Sequence, residues 1–323
     1  MTTENLAPQA LIDNVSAFAA HARTATLLRP TAGDPGPRDN SVGGPLLWPT
    51  DEPWPVCQAP HVVRKHEKLS DRDRELWEEV DREMKARRQA RGGGPYVLTE
   101  EEVETQSRIM DGAGVLDRIT WERIRTVHEP PAAPVPMVPV LQLHARDVPD
   151  LPMPDGTDRL QMLWCPVDHA ELPGLPHYWG PNIALRHRVA ETVGAILDPP
   201  RPDQARDAYL PQPCVLDPVR VVDLPDQDEL PEDLVDTADA WAEDRGVEYA
   251  RLLACLPGWK VGGWPSWHLT DLVPIDCHCG VRMRLMLTLD SGQDPDLNVG
   301  RFGELRVFAC PADLSHPFRL NIQ

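Results

Sequence analysis

The segments "GTDRLQMLWCPVDH" at 156–169 and "RFGELRVFACPADLSH" at 301–316 decide the fold, because each contains an apolar run that ends at a cysteine. Short runs rich in apolar and branched residues, bounded by Pro, Asp and Gly, predict β-strands. The two segments also resemble each other. A strand of the same kind is therefore predicted once in each half of the chain.

Two further pairs of segments resemble each other in the same order along the chain: "SVGGPLLWP" at 41–49 with "KVGGWPSWH" at 260–268, and "LQLHARDVPD" at 141–150 with "LMLTLDSGQD" at 285–294. The spacing agrees as well, since Leu141 precedes Cys165 by 24 positions and Leu285 precedes Cys310 by 25. Three similar segments in one order indicate an internal duplication, with chance similarity as the alternative.

We therefore predict an α+β fold built from two related halves, 1–200 and 201–323, packed as one compact unit. In the first half 98 positions separate Gly43 from Leu141, whereas in the second half 23 positions separate Gly262 from Leu285. The first half is therefore longer by 98 − 23 = 75 positions. This surplus predicts a helical insertion at about 64–130. The second half opens with an acidic loop and helix segment, 201–256.

Local signals predict three helices in the insertion. Ser70 is a candidate N-cap for a helix that ends at the glycines 92–94. Thr99 with Glu102 three residues later forms a capping box for a second helix. A third helix is expected around 115–127, before a proline pair.

The acidic segment contains fourteen acidic and four basic residues between 201 and 248. It is interpreted as a solvated face, with docking of a basic partner as the alternative. Within it, "CVLDPVRVVDL" at 214–224 predicts a strand, and Pro218 indicates an edge strand. The helix that follows is expected to break at Gly246.

Charge and composition exclude several classes of protein. The chain has 323 residues and a formal net charge of −19, a field that repels nucleic-acid phosphates. Its first residues lack the basic and apolar regions of a signal peptide, and no run is long and apolar enough to cross a bilayer. Seven cysteines fit reduced thiols. We expect a cytoplasmic protein that binds a protein partner or a small molecule, without nucleic acid or membrane.

Several segments together resemble the YwqG-like family of bacterial proteins, and the resemblance extends over nearly the whole chain. These segments are the Gly-Gly turns, the central strand segments, "CVLDPVRVVDLPDQDELPEDL" and "GELRVFAC". The resemblance implies an α+β fold with two similar sheet-containing halves. It supplies no catalytic residues, and it implies at most an immunity or partner-binding role.

A more distant resemblance links "CHCGVRMRLMLTLDSG" at 277–292 to the zinc knuckle of programmed-cell-death-2-like proteins, although the first pair here is Cys-x-Cys.

Four side chains form a candidate zinc site: Cys277, Cys279, Cys310 and His316. Structural zinc takes four nitrogen or sulfur ligands in a tetrahedron, and antiparallel pairing of the two flanking strands would bring these groups to one edge. The two sulfurs of a Cys-x-Cys pair converge only if Gly280 turns the backbone. The alternative is that Cys310, like Cys165 at the matching position, is a buried core residue.

The Gly-Gly segments lack the pattern of a phosphate-binding loop and are predicted to be tight turns. Aromatic residues near them are candidates for a ligand cleft between the halves, with burial in the core as the alternative. The candidate ligand-binding residues are Trp48, Trp54, Trp259, Trp264, Trp267 and His268, with His177 as a further polar contact.

Enzymatic motifs are scarce in the sequence. The nearest is "CPVDH", which places Cys165, Asp168 and His169 within five residues. Catalytic partners usually converge from distant segments, so this proximity is weak support for catalysis. The sequence therefore favours a non-enzymatic binding protein, with a zinc-supported hydrolase or transferase as the alternative. It does not determine the oligomeric state.

Overall fold

The computed structural model describes residues 8–170, 172–175 and 178–323, and it combines α-helices with antiparallel sheets, which confirms the predicted α+β class. The helices are α1 (Pro8–Asn14), α2 (Asp71–Ala90), α3 (Glu100–Met110), α4 (Glu232–Glu243) and α5 (Tyr249–Leu252). Within the described ranges, none of these has both the length and the apolar content that a membrane-spanning helix needs.

The strands are β1 (Arg23–Leu27), β2 (Pro30–Ala32), β3 (Ser41–Val42), β4 (Val56–Cys57), β5 (His61–Lys68), β6 (Val115–Asp117), β7 (Glu122–Glu129), β8 (Val135–Pro136), β9 (Val138–His144), β10 (Arg159–Ala170), β11 (Trp179–Arg188), β12 (Cys214–Leu216), β13 (Val219–Asp223), β14 (Lys260–Gly262), β15 (Arg284–Asp290), β16 (Glu304–Ala309) and β17 (Arg319–Ile322). Two compact units divide the chain. The first comprises Met1–Ala59 and Pro131–Gln323, and the second comprises Pro60–Pro130, the segment in which an insertion is predicted.

The first unit contains two six-stranded antiparallel sheets. Their strand orders are β11-β10-β9-β3-β12-β2 and β17-β16-β15-β14-β1-β13. The three pairs of similar segments therefore occupy the same places, second, third and fourth, in the two sheets. A separate two-stranded ribbon is formed by β4 and β8.

Both sheets contribute to one hydrophobic core. Residues of this core include Val140, Leu141 and Met162 from one sheet and Val261, Leu287 and Leu305 from the other. The first eight residues of β10 are buried without alternation. A continuous apolar run is what a strand covered on both faces requires, and the predicted strands here and at β15 and β16 are confirmed.

The segment around Pro218 corrects one prediction. Instead of a single edge strand, the chain forms β12 and β13, and these belong to different sheets. Only β13 is an edge strand, because β12 lies between β3 and β2. A proline has no N–H for a sheet ladder, so it marks the point at which the chain leaves one sheet for the other.

The Gly-Gly turns are tight, as predicted. Gly43 has a φ of +63°, and a Cβ at this position would lie 2.4 Å from the carbonyl oxygen of Pro211. Gly263 has a φ of +74°, and its Cβ would lie 2.2 Å from a carboxylate oxygen of Asp223. Only glycine combines this backbone conformation with such close neighbours.

In the second unit, α2 and α3 begin at the predicted caps. Ser70 accepts a hydrogen bond from the Asp73 amide, and Thr99 with Glu102 forms a complete capping box. The predicted third helix at 115–127 is wrong, since this segment forms β6 and most of β7. The segment contains the β-branched residues Ile124, Thr126 and Val127, which favour a strand, and β7 pairs with β5 along eight residues.

Candidate metal centres

A five-residue turn brings the first two predicted zinc ligands together. The amide of Gly280 donates to the carbonyl of Cys277 at 2.9 Å, and the amide of Cys277 donates to the carbonyl of Val281 at 2.9 Å. Gly280 has a φ of +83°. This left-handed residue supplies the reversal that a Cys-x-Cys pair needs in order to direct both sulfurs at one point.

Strand pairing brings the other two ligands to the same edge. β15 pairs with β16 so that Arg284 lies opposite Ala309. The turn that precedes β15 therefore lies beside Cys310, the residue that follows β16. The loop after Cys310 then carries His316. The predicted convergence at one edge of the sheet is confirmed.

The four candidate ligand atoms lie close together, and two of their separations agree with those around a tetrahedral ion. All of them lie within 4.8 Å of one another. Cys279 Sγ and Cys310 Sγ are 3.7 Å apart, and Cys277 Sγ lies 3.4 Å from His316 Nδ1. Bonds of ordinary length in tetrahedral zinc separate neighbouring sulfur and nitrogen ligands by about 3.3–3.8 Å. This group, the Cys277 centre, could hold a metal ion.

Backbone amides point at the sulfurs of this centre. Val281 donates to Cys279, and Ala312 and Asp313 both donate to Cys310. Burial acts to raise the pKa of the Cys310 thiol, but hydrogen bonds, first from His316 and then from these two amides, lower the pKa to about 6. Such bonds favour the thiolate, the form that binds metal. At Cys279 the Val281 amide lowers the pKa, but burial and hydrogen bonds with Cys277 and Cys310 outweigh it and raise the pKa.

Asp313 lies beside the histidine of the centre. Its Oδ2 lies 3.6 Å from Nε2 of His316, while Nδ1 of the same ring faces the sulfur of Cys277. The amide of Ser315 donates to the other carboxylate oxygen at 2.8 Å. A carboxylate on the second ring nitrogen fixes the tautomer of a ligating histidine. The sequence interpretation did not include Asp313, although it lies three residues before His316.

A second group of metal-ligating side chains lies in the first unit. Cys57 of β4 meets Cys165 and His169 of β10, and the ligand atoms lie within 4.8 Å of one another. Cys57 Sγ is 3.6 Å from His169 Nε2 and accepts a hydrogen bond from Asn182 Nδ2 at 3.5 Å. All three residues are buried. This group, the Cys57 cluster, could also hold a metal ion.

Strand pairing explains this convergence. Cys57 lies opposite Val135 in the ribbon that leads into β9, and the start of β9 pairs with β10 at Trp164, next to Cys165. The hydrogen bond with Cys165 is the main cause that lowers the pKa of Cys57, and the pKa of Cys165 is raised in return. The two thiols are therefore close enough to share a hydrogen bond.

The candidate catalytic group is divided by this arrangement. Cys165 and His169 both belong to the Cys57 cluster, whereas Asp168 accepts a hydrogen bond from the hydroxyl of Tyr209 at 2.6 Å and pairs with Arg206. Successive residues of a strand point to opposite faces, which separates Asp168 from His169. Among the described contacts, the carboxylate does not orient the imidazole.

The predicted ligand-binding tryptophans lie in several places. Trp48 and Trp54 contact each other with ring centroids 5.1 Å apart. Trp259 belongs to the core shared by the two sheets, and Trp264 belongs to the cluster around α4. The indole N–H groups of these four donate to backbone carbonyls: Glu52 for Trp48, Met137 for Trp54, Asp290 for Trp259 and His21 for Trp264. Ligand binding by these residues stays a prediction.

The remaining candidates differ in exposure. Trp267 is buried and its ring lies 4.5 Å from the Arg306 guanidinium, whereas His268 is exposed. His177 lies outside the described residues.

A cleft of about 560 Å³ adjoins the Cys277 centre. Its walls include Arg23, Asp150, Gly263, Arg284, Cys310 and Leu314. Burial acts to raise the pKa of Asp150, but hydrogen bonds from Thr24, Arg220 and Thr26 outweigh it and hold the pKa below its usual value. Arg284 is exposed and forms no ion pair with any described residue.

Comparison with known proteins adds no assignment to this geometry. No family model matches the chain, and no curated protein matches it.

Proposed function

We propose that this chain is a non-enzymatic binding protein in which zinc at the Cys277 centre supports the wall of the adjoining cleft. The observation that carries the proposal is the convergence of Cys277, Cys279, Cys310 and His316, whose ligand atoms lie within 4.8 Å of one another, with Cys310 also lining the cleft. Four protein ligands leave no open position for a substrate, which is typical of structural zinc. The zinc-supported hydrolase or transferase is therefore the weaker alternative.

The same proposal includes an internal duplication and membership of the YwqG-like family. Equal strand orders in the two sheets support the duplication, and the Gly-Gly turns and strand motifs support the family. An immunity or partner-binding role and a cytoplasmic location are proposed on the resemblance and on the sequence.

Zinc analysis of protein purified without chelator tests the centre. We expect zinc that is lost in Cys310→Ser and kept in Cys214→Ser. Cys214 is a matched control because its side chain is equally buried and lies outside both groups of ligands. Equal zinc in the two variants, or its absence from the wild-type protein, would contradict the proposal.

The charge of the cleft indicates the class of ligand. The Asp150 carboxylate is already paired with Arg220, and Arg23 stacks 3.2 Å from the ring centroid of Trp264. Arg284 is therefore the cation that is available to a ligand. We propose that the cleft takes an acidic segment of a protein partner, since a guanidinium can bind a carboxylate through two hydrogen bonds.

A peptide array that compares acidic sequences with their Asn and Gln counterparts tests the cleft. We expect the wild-type protein to retain acidic peptides at least tenfold more than the neutral ones. Arg284→Ala removes the preference, whereas Arg201→Ala, a change at another exposed arginine, leaves it intact. Retention that is independent of peptide charge would refute the assignment of the cleft.

A further inference from the structure

We propose that the Cys57 cluster is a second structural zinc site, with Cys57, Cys165, His169 and His61 as its ligands. This inference does not depend on the function proposed for the cleft. It rests on the geometry of three side chains in the first unit and on a spacing that the sequence repeats.

The three side chains of the first unit already have the separations of a metal site. The 3.6 Å between Cys57 Sγ and His169 Nε2 is close to the sulfur to nitrogen distance of about 3.5 Å in tetrahedral zinc. Cys165 and His169 are fully buried, and Cys57 is 1% exposed. The other separations among these three ligand atoms are at most 4.8 Å, so one ion could contact all three after small side-chain adjustments.

The sulfur of Cys57 has polar neighbours. Asn182 Nδ2 donates to it at 3.5 Å, His169 Nε2 lies 3.6 Å away, and the thiol of Cys165 shares a hydrogen bond with it. The sulfurs of Cys57 and Cys165 and the imidazole of His169 lie within 4.8 Å of one another, and thiolates and imidazoles are the groups that bind zinc in proteins.

The sequence supplies the fourth ligand. In "CQAPH" at 57–61 and "CPVDH" at 165–169, a cysteine is followed by a histidine four positions later. Two Cys-x-x-x-His pairs provide the two sulfur and two nitrogen ligands of a common class of structural zinc site. His61 is buried as well. We therefore assign it as the fourth ligand on the basis of the repeated spacing.

Cys165 and Cys310 provide independent support. Each follows an apolar strand run, each precedes a proline, and each sulfur accepts a hydrogen bond from the amide two residues later, Val167 or Ala312. Cys310 belongs to a group whose ligand atoms lie within 4.8 Å of one another. The same local geometry at Cys165 indicates the same role.

A zinc ion here would connect elements that share few backbone hydrogen bonds. β4 belongs to a two-stranded ribbon, and β10 belongs to a six-stranded sheet. Ligation by Cys57 and Cys165 would tie the ribbon to the sheet. With four protein ligands the site is closed, so we assign it a structural role and no catalytic one.

Zinc counting with ligand variants tests the inference. We expect Cys57→Ser to lose one zinc ion per chain relative to the wild-type protein, and the Cys57→Ser, Cys310→Ser double variant to lose two. The control Cys214→Ser retains both ions. If Cys57→Ser keeps the zinc content of the wild-type protein, the second site is overturned. If Cys57→Ser loses zinc and Cys310→Ser loses none, only the Cys277 centre is overturned.

The fourth ligand and possible misfolding need separate measurements. His61→Ala is expected to lose the second zinc and His61→Cys to keep it, because a thiolate can replace the imidazole. Retention of both ions in His61→Ala would refute the assignment of His61. X-ray absorption of the wild-type protein needs no variant. The two sites together predict five sulfur and three nitrogen ligands for two zinc ions. An average of three sulfurs to one nitrogen would refute the Cys57 site.

Discussion

At the scale of single residues, Gly280 determines the geometry of the Cys277 centre. Side chains at alternate positions of an extended chain point in opposite directions, so Cys277 and Cys279 could not face one ion in a strand. The positive φ of Gly280 closes a turn instead, and no described atom lies within 4 Å of the place where its Cβ would be. Backbone conformation, and not lack of space, is therefore the reason for a glycine here.

Gly43 provides a contrasting case, because space and conformation both require glycine. We expect Gly43→Ala to lower the free energy of unfolding by about 2–4 kcal/mol, since the residue has a positive φ and its Cβ would meet backbone oxygens of Pro211 and Gln212. Equilibrium denaturation with urea measures this change.

Gly194→Ala is the matched control for this substitution. Gly194 is exposed, its φ lies outside the left-handed region, and no described atom lies within 4 Å of the position that an alanine Cβ would take there. Its replacement is expected to change stability by less than about 0.5 kcal/mol. Equal effects of the two substitutions would show that the close contacts at Gly43 carry no cost.

At the scale of elements, strand alternation and register select which side chains can act together. In β10 the register with β11 shifts between Trp164 and Asp168, which marks a bulge. Beyond it, His169 joins the cysteines while Asp168 binds Tyr209 on the other side. Three residues that are close in the sequence thus belong to two different environments.

The capping box of α3 yields a prediction for a single helix. Thr99 Oγ1 accepts from the Glu102 amide at 3.3 Å, and Glu102 Oε2 accepts from the Thr99 amide at 2.7 Å. Thr99→Ala removes one of these bonds and is expected to cost about 1 kcal/mol, which speeds hydrogen exchange of the first-turn amides about fivefold.

Thr105→Ala in the same helix is the control. Thr105 lies in the interior of α3, where alanine is the better helix former, so exchange is expected to stay equal or become slower. If both threonine substitutions accelerate exchange equally, the cap does not stabilise the start of α3.

The corrected segment 115–127 shows where local signals fail. It mixes charged and apolar residues without a strict period, and the proline pair that follows predicts the end of a helix. Pairing of β7 with β5 and β6 decides the outcome, because both partners are supplied by segments outside the strand itself. Strand propensity depends on such neighbours more than helix propensity does.

At the scale of the whole molecule, the two sheets exchange strands reciprocally. β1, near the start of the chain, lies in the sheet with β13 to β17, and β12 lies in the sheet with β2, β3 and β9 to β11. A boundary at residue 200 would therefore separate strands that pair. Each sheet therefore needs strands from both sides of residue 200. A sheet that lacked some of its strands would leave part of the shared core open to water.

The sequence alone determined the features that depend on neighbouring residues. Patterns within short segments determine the apolar runs of β10, β15 and β16, the caps of α2 and α3, and the turns at the Gly-Gly pairs. The convergence of the four side chains of the Cys277 centre was predicted from the same kind of evidence. That centre was predictable because a turn and one pair of antiparallel strands suffice to assemble it. The acidic net charge and the α+β class follow from composition and from the kinds of runs present.

Only the tertiary structure decided which distant segments meet. It placed Cys57 beside Cys165 through the ribbon of β4 and β8, separated Asp168 from His169, and distributed the tryptophans among several hydrophobic clusters. These outcomes depend on strand order and register between residues that are about a hundred positions apart. Such pairings are selected by the packing of the complete core, which no local pattern encodes.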